Sequence, residues 1–485
     1  MPAKRPKNLI GRLSCLNGKK PFTALSLKEK TRDVTNKKII TPLLRNIVLP
    51  IGDLAFGQKM MARLKFLEEA QWWDREKIES YRNSKLKNLI TVAYKEVPFY
   101  REIFDASGIS PHEIKCAQDL SKLPIVTKDM LRKGYPHQVT RPTGQKTYEA
   151  STSGSTGKNF FVREDAATAG WYRASFLLAL EWAGWKIGDA HLQTGMTLNR
   201  SLDRKLKDWL MNCQYVSAYE LDDVHLEQVL SIVESKKIEF IFGYPGSLYY
   251  LARYAGQRGW NLPLKAAVTW GDMLLPHYRQ EIENVFKVKV FDTYGCAEGF
   301  HISAQCEFGS YHIHALDVIA EFLDNNGAPI NSGDSGKIII TRLHPGPMPF
   351  IRYSTGDIGV PLINGQCNCN RGFPFMKSII GRSSDVVITP SGNRLIIHFF
   401  TGILEHFTEI DVFQVIQEDR FNLTLRVVPF GNLRKETMEI ISKSLWEHGC
   451  KDMKISFEIV ESIPTAPTGK NQFIVSKLDS ESLKY

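Results

Sequence analysis

Between residues 238 and 295 the chain alternates, and that alternation constrains its fold more than any other feature. "IEFIFG" (238–243), "KAAVTWG" (265–271) and "VKVFDTYG" (288–295) are short apolar runs that read as buried strands. "PGSLYYLARYAGQRG" (245–259) and "LPHYRQEIENVFK" (275–287) lie between them and read as helices. Pro245 opens the first, where its missing N–H is no loss because first-turn N–H groups have no helical partner. Strands that alternate with helices of this length build βαβ units and pair in parallel. Each of these strands runs into a polar loop containing glycine. Ligands of such sheets bind at those strand ends. The predicted class is α/β: a large N-terminal domain with mixed or parallel sheets and flanking helices, then a small C-terminal α+β domain.

The chain's 485 residues exceed one ordinary core, so several units are expected. A helical rhythm runs from Met61 to Phe104, with Trp72, Trp73, Tyr81, Tyr94 and Tyr100 spaced for packing. "SKLPIVTKDMLRK" (121–133) reads as a loop entering a helix. "GRSSDVVITPSGNRL" (381–395) breaks the alternation. Beyond it lie strand-like "DVFQVIQE" and "NLTLRVV", helix-like "LRKETMEIISKSLWEHG" and strand-like "MKISFEIV". The expected division is a basic N-terminal arm over 1–60, a large domain over 61–384 and a small mobile domain over 385–485.

Charge is concentrated at one end. Residues 1–50 hold twelve Lys or Arg against Glu29 and Asp33, which accounts for the whole net charge of +10. Such a segment reads as a solvated arm or as one attracted to anionic lipid. "IITPLLRNIVLPIGDLAF" (39–56) is apolar enough to touch a membrane surface or a second copy, as in a homodimer. It is too interrupted to span a bilayer. The folded part has no basic motif interleaved with aromatics, so no nucleic-acid partner is expected. The N-terminus shows no charged cap followed by an apolar block, which points to a cytoplasmic protein with reduced or metal-bound cysteines.

"TSGSTGK" (152–158) carries two glycines, four hydroxyls and a lysine. It is neither a Walker loop nor a dinucleotide fingerprint. Its glycines would let backbone N–H groups approach an anion, and its hydroxyls and ammonium add donors. A flexible linker has the same composition. "DTYGCAEG" (292–299), "RYSTGD" (352–357), "GRSSD" (381–385) and "PTGK" (467–470) follow in order, and "LITVAYKEVPFYREIF" (89–104) precedes it. This ordered set resembles the adenylate-forming superfamily of acyl-CoA synthetases. It looks most like phenylacetate–CoA ligases and their relatives in polysaccharide gene clusters, from about Phe66 to the C-terminus.

The resemblance implies an AMP-forming acid–thiol ligase. A small-molecule carboxylic acid attacks the α-phosphorus of ATP, pyrophosphate leaves, and the acyl group passes to CoA or, in the alternative, to an amine or carrier thiol. By the same resemblance Ser153, Gly154, Ser155, Thr156, Gly157 and Lys158 grip the phosphates. The superfamily usually has Pro after this Lys, where the chain has Asn159. Glu298 matches the Mg²⁺ ligand, Thr293 and Tyr294 contact the α-phosphate and adenine, and Asp272 lines the adenine pocket. Asp357 would accept both ribose hydroxyls. Lys470 would bridge carboxylate and α-phosphate, stabilising charge that grows in the transition state. Arg382 would contact phosphate or ribose, and Asp385 would be the hinge. Cys296 reads as a small pocket-lining residue, and "FGYPGSLYY" (242–250) as one wall of the acyl pocket.

"CEFGSYHIH" (306–314) and "CNC" (367–369) flank "RYSTGD". Three thiols and an imidazole suit a tetrahedral structural zinc. The C-x-C spacing leaves a metal site and scattered reduced cysteines equally open. Some phenylacetate–CoA-ligase-like proteins share the arrangement, which implies Cys306, His312, Cys367 and Cys369 as zinc ligands, with His314 as the alternative to His312.

Overall fold

The computed structural model describes residues 43–478 apart from 154–158, 196–199, 219–222, 364, 383–385, 392–393, 405–406, 408 and 464–472. Strands β1 (Thr147–Ser153) and β2 (Asn159–Asp165) form an antiparallel hairpin. The Ala166–Trp182 helix follows, and Asp165 caps it by accepting from the Thr168 N–H at 2.8 Å. Nearly every face of this helix is apolar because it is sandwiched inside the domain.

The alternating segment folds as expected. β3 (His191–Gly195), β4 (Cys213–Ser217), β5 (Phe240–Gly243), β6 (Ala266–Thr269) and β7 (Lys289–Cys296) pair in parallel in the order β7-β6-β5-β3-β4. The helices Pro245–Arg258 and Pro276–Phe286 cross between strands, each opening on proline. Tyr249 and Tyr250 leave the expected acyl wall, however. Tyr249 stacks on Tyr278 at 4.3 Å, on the side facing the small domain.

The sheet then continues in a way the alternation does not foretell. β8 (Phe300–Gln305), β9 (Tyr311–Ile313), β10 (Val318–Leu323), β11 (Gly336–Arg342), β12 (Tyr353–Pro361) and β13 (Phe375–Arg382) extend it antiparallel to eleven strands. The order on that side is β10-β11-β12-β13-β9-β8-β7, so the largely parallel character holds for one half only. The reason is connection length. The turns from β7 to β8 (297–299) and from β8 to β9 (306–310) are too short to carry a crossover helix, and strands so joined must run antiparallel.

One apolar cluster joins this antiparallel half to Leu86, Leu89, Tyr100 and Phe104 of the N-terminal helices. A second packs Ala174, Leu178 and Trp182 of the Ala166–Trp182 helix on Phe240, Phe242 and Ala304. The small unit holds hairpin β14 (Val386–Ile388) and β15 (Arg394–Ile396), then β16 (Ile410–Gln417), β17 (Asn422–Pro429), β18 (Lys454–Ile459) and β19 (Ile474–Ser476). The last four form one sheet in the order β18-β17-β16-β19, covered by the Lys435–His448 helix. Its core is continuous with Leu275 and Tyr278 of the large unit, and Arg253 pairs with Asp411 across the contact. The α/β class with a small C-terminal domain is borne out.

The basic arm is shorter than expected. Residues 44–56 are helical, Leu44 is buried, and Arg45 pairs with Glu68 and with Glu181 at 3.4 Å. An amphipathic stretch gains more by burying one face than by staying solvated. The packed chain therefore begins before residue 61, and only 1–42 lie outside the described residues at this end.

Tyr100 fastens the N-terminal helices to the strand that carries "RYSTGD". Its hydroxyl donates to Pro349 O and accepts from the Ile351 N–H, each at 3.0 Å, in a fully buried setting. Tyr100→Phe strands both backbone groups away from water and is expected to cost about 1–3 kcal/mol. Urea unfolding midpoints of the two proteins measure the loss.

Candidate active site

The site forms where β7 ends. Thr293 and Tyr294 are its last buried residues, and a bulge between Tyr294 and Gly295 turns the strand into a tight connection to β8. The turn closes with the Gly299 N–H on Cys296 O at 3.1 Å. Gly299 has φ +87°, and a Cβ there would fall 1.7 Å from a Glu164 carboxylate oxygen. Both its conformation and its neighbour therefore require glycine.

That turn buries Glu298, which is 4% exposed. Lys128 Nζ lies 2.8 Å from its carboxylate, and the Tyr353 hydroxyl donates to it at 2.8 Å. Burial pushes this carboxyl up, but Lys128 and Tyr353 outweigh it and hold the group below its ordinary value. Glu298 is thus an ionised carboxylate inside the protein. Cys296 beside it is driven the other way. Burial and the Glu298 charge push its thiol well above the ordinary value, so it stays protonated and is no nucleophile.

Tyr294 reaches sideways to the second motif, donating to Asp357 Oδ2 at 2.6 Å, with Thr355 Oγ1 at 3.3 Å. Thr293 Oγ1 donates to Thr269 O at 2.9 Å, which ties the ends of β6 and β7 together. Asp272 follows Gly271, whose φ of +84° turns the chain after β6 toward Tyr244. Arg352 is a structural clamp. It is buried, and its guanidinium holds Glu321 at 2.9 Å.

The structure thus places Thr293, Tyr294 and Glu298 at and just past the end of β7 and Asp272 just past the neighbouring β6, and the Tyr294 hydroxyl links them to Asp357 inside β12. Ser153 ends β1 and pairs with Asn159 at the mouth of the hairpin; Gly154, Ser155, Thr156, Gly157 and Lys158 lie outside the described residues. The Phe160 ring, just past that mouth, lies 5.3 Å from Lys128 Nζ, so the hairpin opens beside Glu298. Arg382 is in register with Asp357, with its side chain outside the described residues. Lys470 and Asp385 also lie outside them.

Two residues of this constellation escaped the sequence reading, Lys128 and Tyr353. Lys128 is the first residue of a short helix capped by Thr127, which accepts from Met130 N–H. Nothing local marks it, because its partner Glu298 is far away in sequence.

A second cluster lies where β9 meets β13, inside the sheet order. The ligand atoms of Cys306, His312, Cys367 and Cys369 all fall within 4.8 Å of one another. Cys306 Sγ and Cys367 Sγ are 3.6 Å apart, and Cys369 Sγ is 3.1 Å from His312 Nε2. That sulfur separation is too long for a disulfide. Two sulfurs on one tetrahedral zinc stand about 3.7 Å apart, which matches. His312 Nδ1 lies 2.9 Å from Phe373 O, which orients Nε2 toward the thiols. His314 is not part of this set. Its ring packs on Trp182 and on His301, with centroids at 5.5 and 4.7 Å.

Residues 387–477 match the CapK C-terminal domain family. The chain is 26% identical over 340 residues to a phenylacetate-coenzyme A ligase of Thermus thermophilus, covering 67% of this chain and 75% of that one. It is 23% identical over 450 residues to protein CapK of Staphylococcus aureus, covering 90% and 97%. Its fold is similar to that of 2-hydroxyisobutyryl-CoA ligase in the postadenylation state, with TM-score 0.68 and 19% identity over 85% of this chain and 91% of that one. The resemblance carried by the ordered motifs is therefore borne out in sequence and in fold.

Lys128→Met removes the cation and leaves burial to set the Glu298 pKa. In the wild type a depressed carboxyl adds stability above its unfolded pKa of about 4.3, lost as pH falls through the folded value. In the variant the neutral form is favoured, and stability is lost as pH rises instead. The gap between the two melting temperatures is expected to be widest near neutral pH and to narrow on acidification. A gap independent of pH would mean that Lys128 contributes only packing.

Proposed function

We propose that this protein is an AMP-forming ligase that condenses a carboxylic acid with ATP, releases pyrophosphate, and passes the acyl group to the thiol of CoA. The observation that carries the reading is the convergence of Tyr294, Asp357 and the buried, ionised Glu298 at the mouth of the glycine hairpin. Similarity to phenylacetate–CoA ligases supports it.

In this reading the carboxylate attacks the α-phosphorus in line and pyrophosphate leaves. There is little covalent work for the protein, so catalysis is positioning and charge neutralisation. Residues 153–158 hold the leaving phosphates with backbone N–H groups, hydroxyls and Lys158. Thr293 stands at the α-phosphate, Asp357 at the ribose hydroxyls, and Tyr294 and Asp272 around the base. Lys128, paired with Glu298, adds a cation beside them. Glu298 suits a hard divalent cation, because it stays ionised although buried. Mg²⁺ held there would neutralise phosphate charge. Lys470 and Arg382 add cations from the small domain and its junction, with Asp385 as the pivot.

A second reading keeps the adenylate and transfers the acyl group to an amine or carrier thiol in polysaccharide modification. It is favoured by similarity to CapK over nearly the whole length of both chains. Cys306, His312, Cys367 and Cys369 hold a structural zinc that clamps the loop before β13 to β9 and takes no part in the chemistry. A weak contact with anionic lipid accompanies either reading. Leu43, Ile47, Val48 and Ile51 are exposed directly after the basic segment. Among the described residues no helix is long and apolar enough to cross a membrane.

Acid-dependent pyrophosphate release across a panel of acids with ATP and Mg²⁺ tests the first step, and adding CoA or amines separates the two acceptors. Lys470→Ala is expected to abolish pyrophosphate release while sparing thioester formation from supplied acyl-AMP. Equal loss of both half-reactions contradicts the assigned role. Metal analysis is expected to find about one zinc per chain, lost in Cys367→Ser; no zinc in either protein removes that assignment.

A further inference from the structure

Beside the nucleotide residues lies a layer whose hydrogen bonding is incomplete. β8 alternates, as a strand must. Phe300 and Ile302 point into one apolar cluster, while His301 and Ser303 face the Ala166–Trp182 helix. His301 is 2% exposed, and neither of its ring nitrogens has a hydrogen-bond partner. His314 adjoins it with ring centroids 4.7 Å apart, is fully buried, and also lacks a partner on both nitrogens. Each unmade bond of a buried polar group costs about 1–3 kcal/mol, so a site that leaves four nitrogens unpaired is poised for a ligand that pairs them.

The location says which ligand. His301 stands three residues after Glu298 and in register with Gly295, next to Tyr294. Above it lie three aromatic rings. Phe176 meets it edge-on at 5.3 Å and 82°, Tyr172 at 6.1 Å and 88°, and Trp270 packs on Phe176 at 5.4 Å. Tyr172 is 36% exposed and the other two rings are partly exposed, so this aromatic layer alone separates the histidine from solvent. A ligand reaches the imidazole by displacing the Phe176 or Tyr172 ring about its side-chain torsions.

We propose that His301 is a specificity-determining residue of the acyl groove, selecting a carboxylic acid with a flat apolar body and a neutral hydrogen-bonding substituent, in the simplest case a hydroxyl. The proposal rests on the acid-activating reading above. A neutral imidazole has one donor and one acceptor, and a hydroxyl complements either. Burial lowers the His301 pKa to about 3, so the ring is uncharged at working pH and gives a second carboxylate no counter-ion. The flat walls suit an aromatic body.

The test uses matched acids that differ by one hydroxyl: phenylacetate with 4-hydroxyphenylacetate, and 3-phenylpropanoate with its 4-hydroxy counterpart. Binding is measured by calorimetry with α,β-methylene ATP and Mg²⁺, and turnover as kcat/KM for pyrophosphate release with ATP. The full-length protein is expected to favour the hydroxylated member of at least one pair by about 10–100-fold, the range that one satisfied buried hydrogen bond supplies. His301→Phe is expected to bring that ratio within about 3-fold, and His301→Gln, which keeps a donor and an acceptor, to restore part of it. Thermal melts establish that both variants are folded. Equal binding within every pair, or a preference that survives His301→Phe, overturns the proposal. Pyrophosphate released equally from both members overturns it while leaving the acid-activating reading standing. A hydroxyl preference in binding without pyrophosphate from any acid overturns that reading and keeps the groove. Absence of binding by every acid overturns both.

Discussion

Glu298 is a carboxylate that the interior must keep ionised, and three distant segments cooperate to do so. Lys128 comes from a short helix before the hairpin, Tyr353 from β12, and Glu298 itself from the turn between β7 and β8. A buried charge without a partner is expensive enough to force neutralisation. The ion pair therefore fixes where these segments must meet. Much of the surrounding architecture serves that meeting. Tyr100 pins residues 349–351, Arg352 is anchored by Glu321, and Gly299 leaves room for Glu164.

The sheet explains how the residues proposed to hold the nucleotide come to lie beside His301. The parallel half ends its strands along one edge, where Gly271, Asp272, Thr293 and Tyr294 gather. The antiparallel half folds back from that edge without a helix, so β8 returns directly beneath the site. Its alternation divides the work. One face closes the apolar core, and the other sets His301 beneath the Phe176 and Tyr172 rings. The Cys306, His312, Cys367 and Cys369 cluster stands farther along, where β9 meets β13, and couples the "CNC" loop to the strand next to β8.

Much of this was legible beforehand, for identifiable reasons. The strands at 240–243, 266–269 and 289–296 and the proline-opened helices between them follow from local periodicity and capping, which neighbouring residues fix. The Cys306, His312, Cys367 and Cys369 quartet was legible as a candidate set, and the structure groups His312 and not His314 with the thiols because His314 lies past the end of β9, where its ring packs on Trp182 and His301. The reading of residues 242–250 as one acyl wall failed in part. Tyr249 and Tyr250 sit on a helix, and helical geometry turns them toward Tyr278 and the small domain, whereas Phe242 stays near Trp270.

The sequence by itself determined the α/β class, the order of the motifs, the concentration of positive charge in residues 1–50 and the identity of the residues available for chemistry. These depend on spacing along the chain, which the chain states directly. Tertiary structure alone decided that Lys128 and Tyr353 meet Glu298, that Tyr294 holds Asp357, that half the sheet runs antiparallel, and that His301 and His314 are buried together without partners. Those facts concern residues far apart in sequence, and the energies that join them, charge pairing and burial, depend on distance in space.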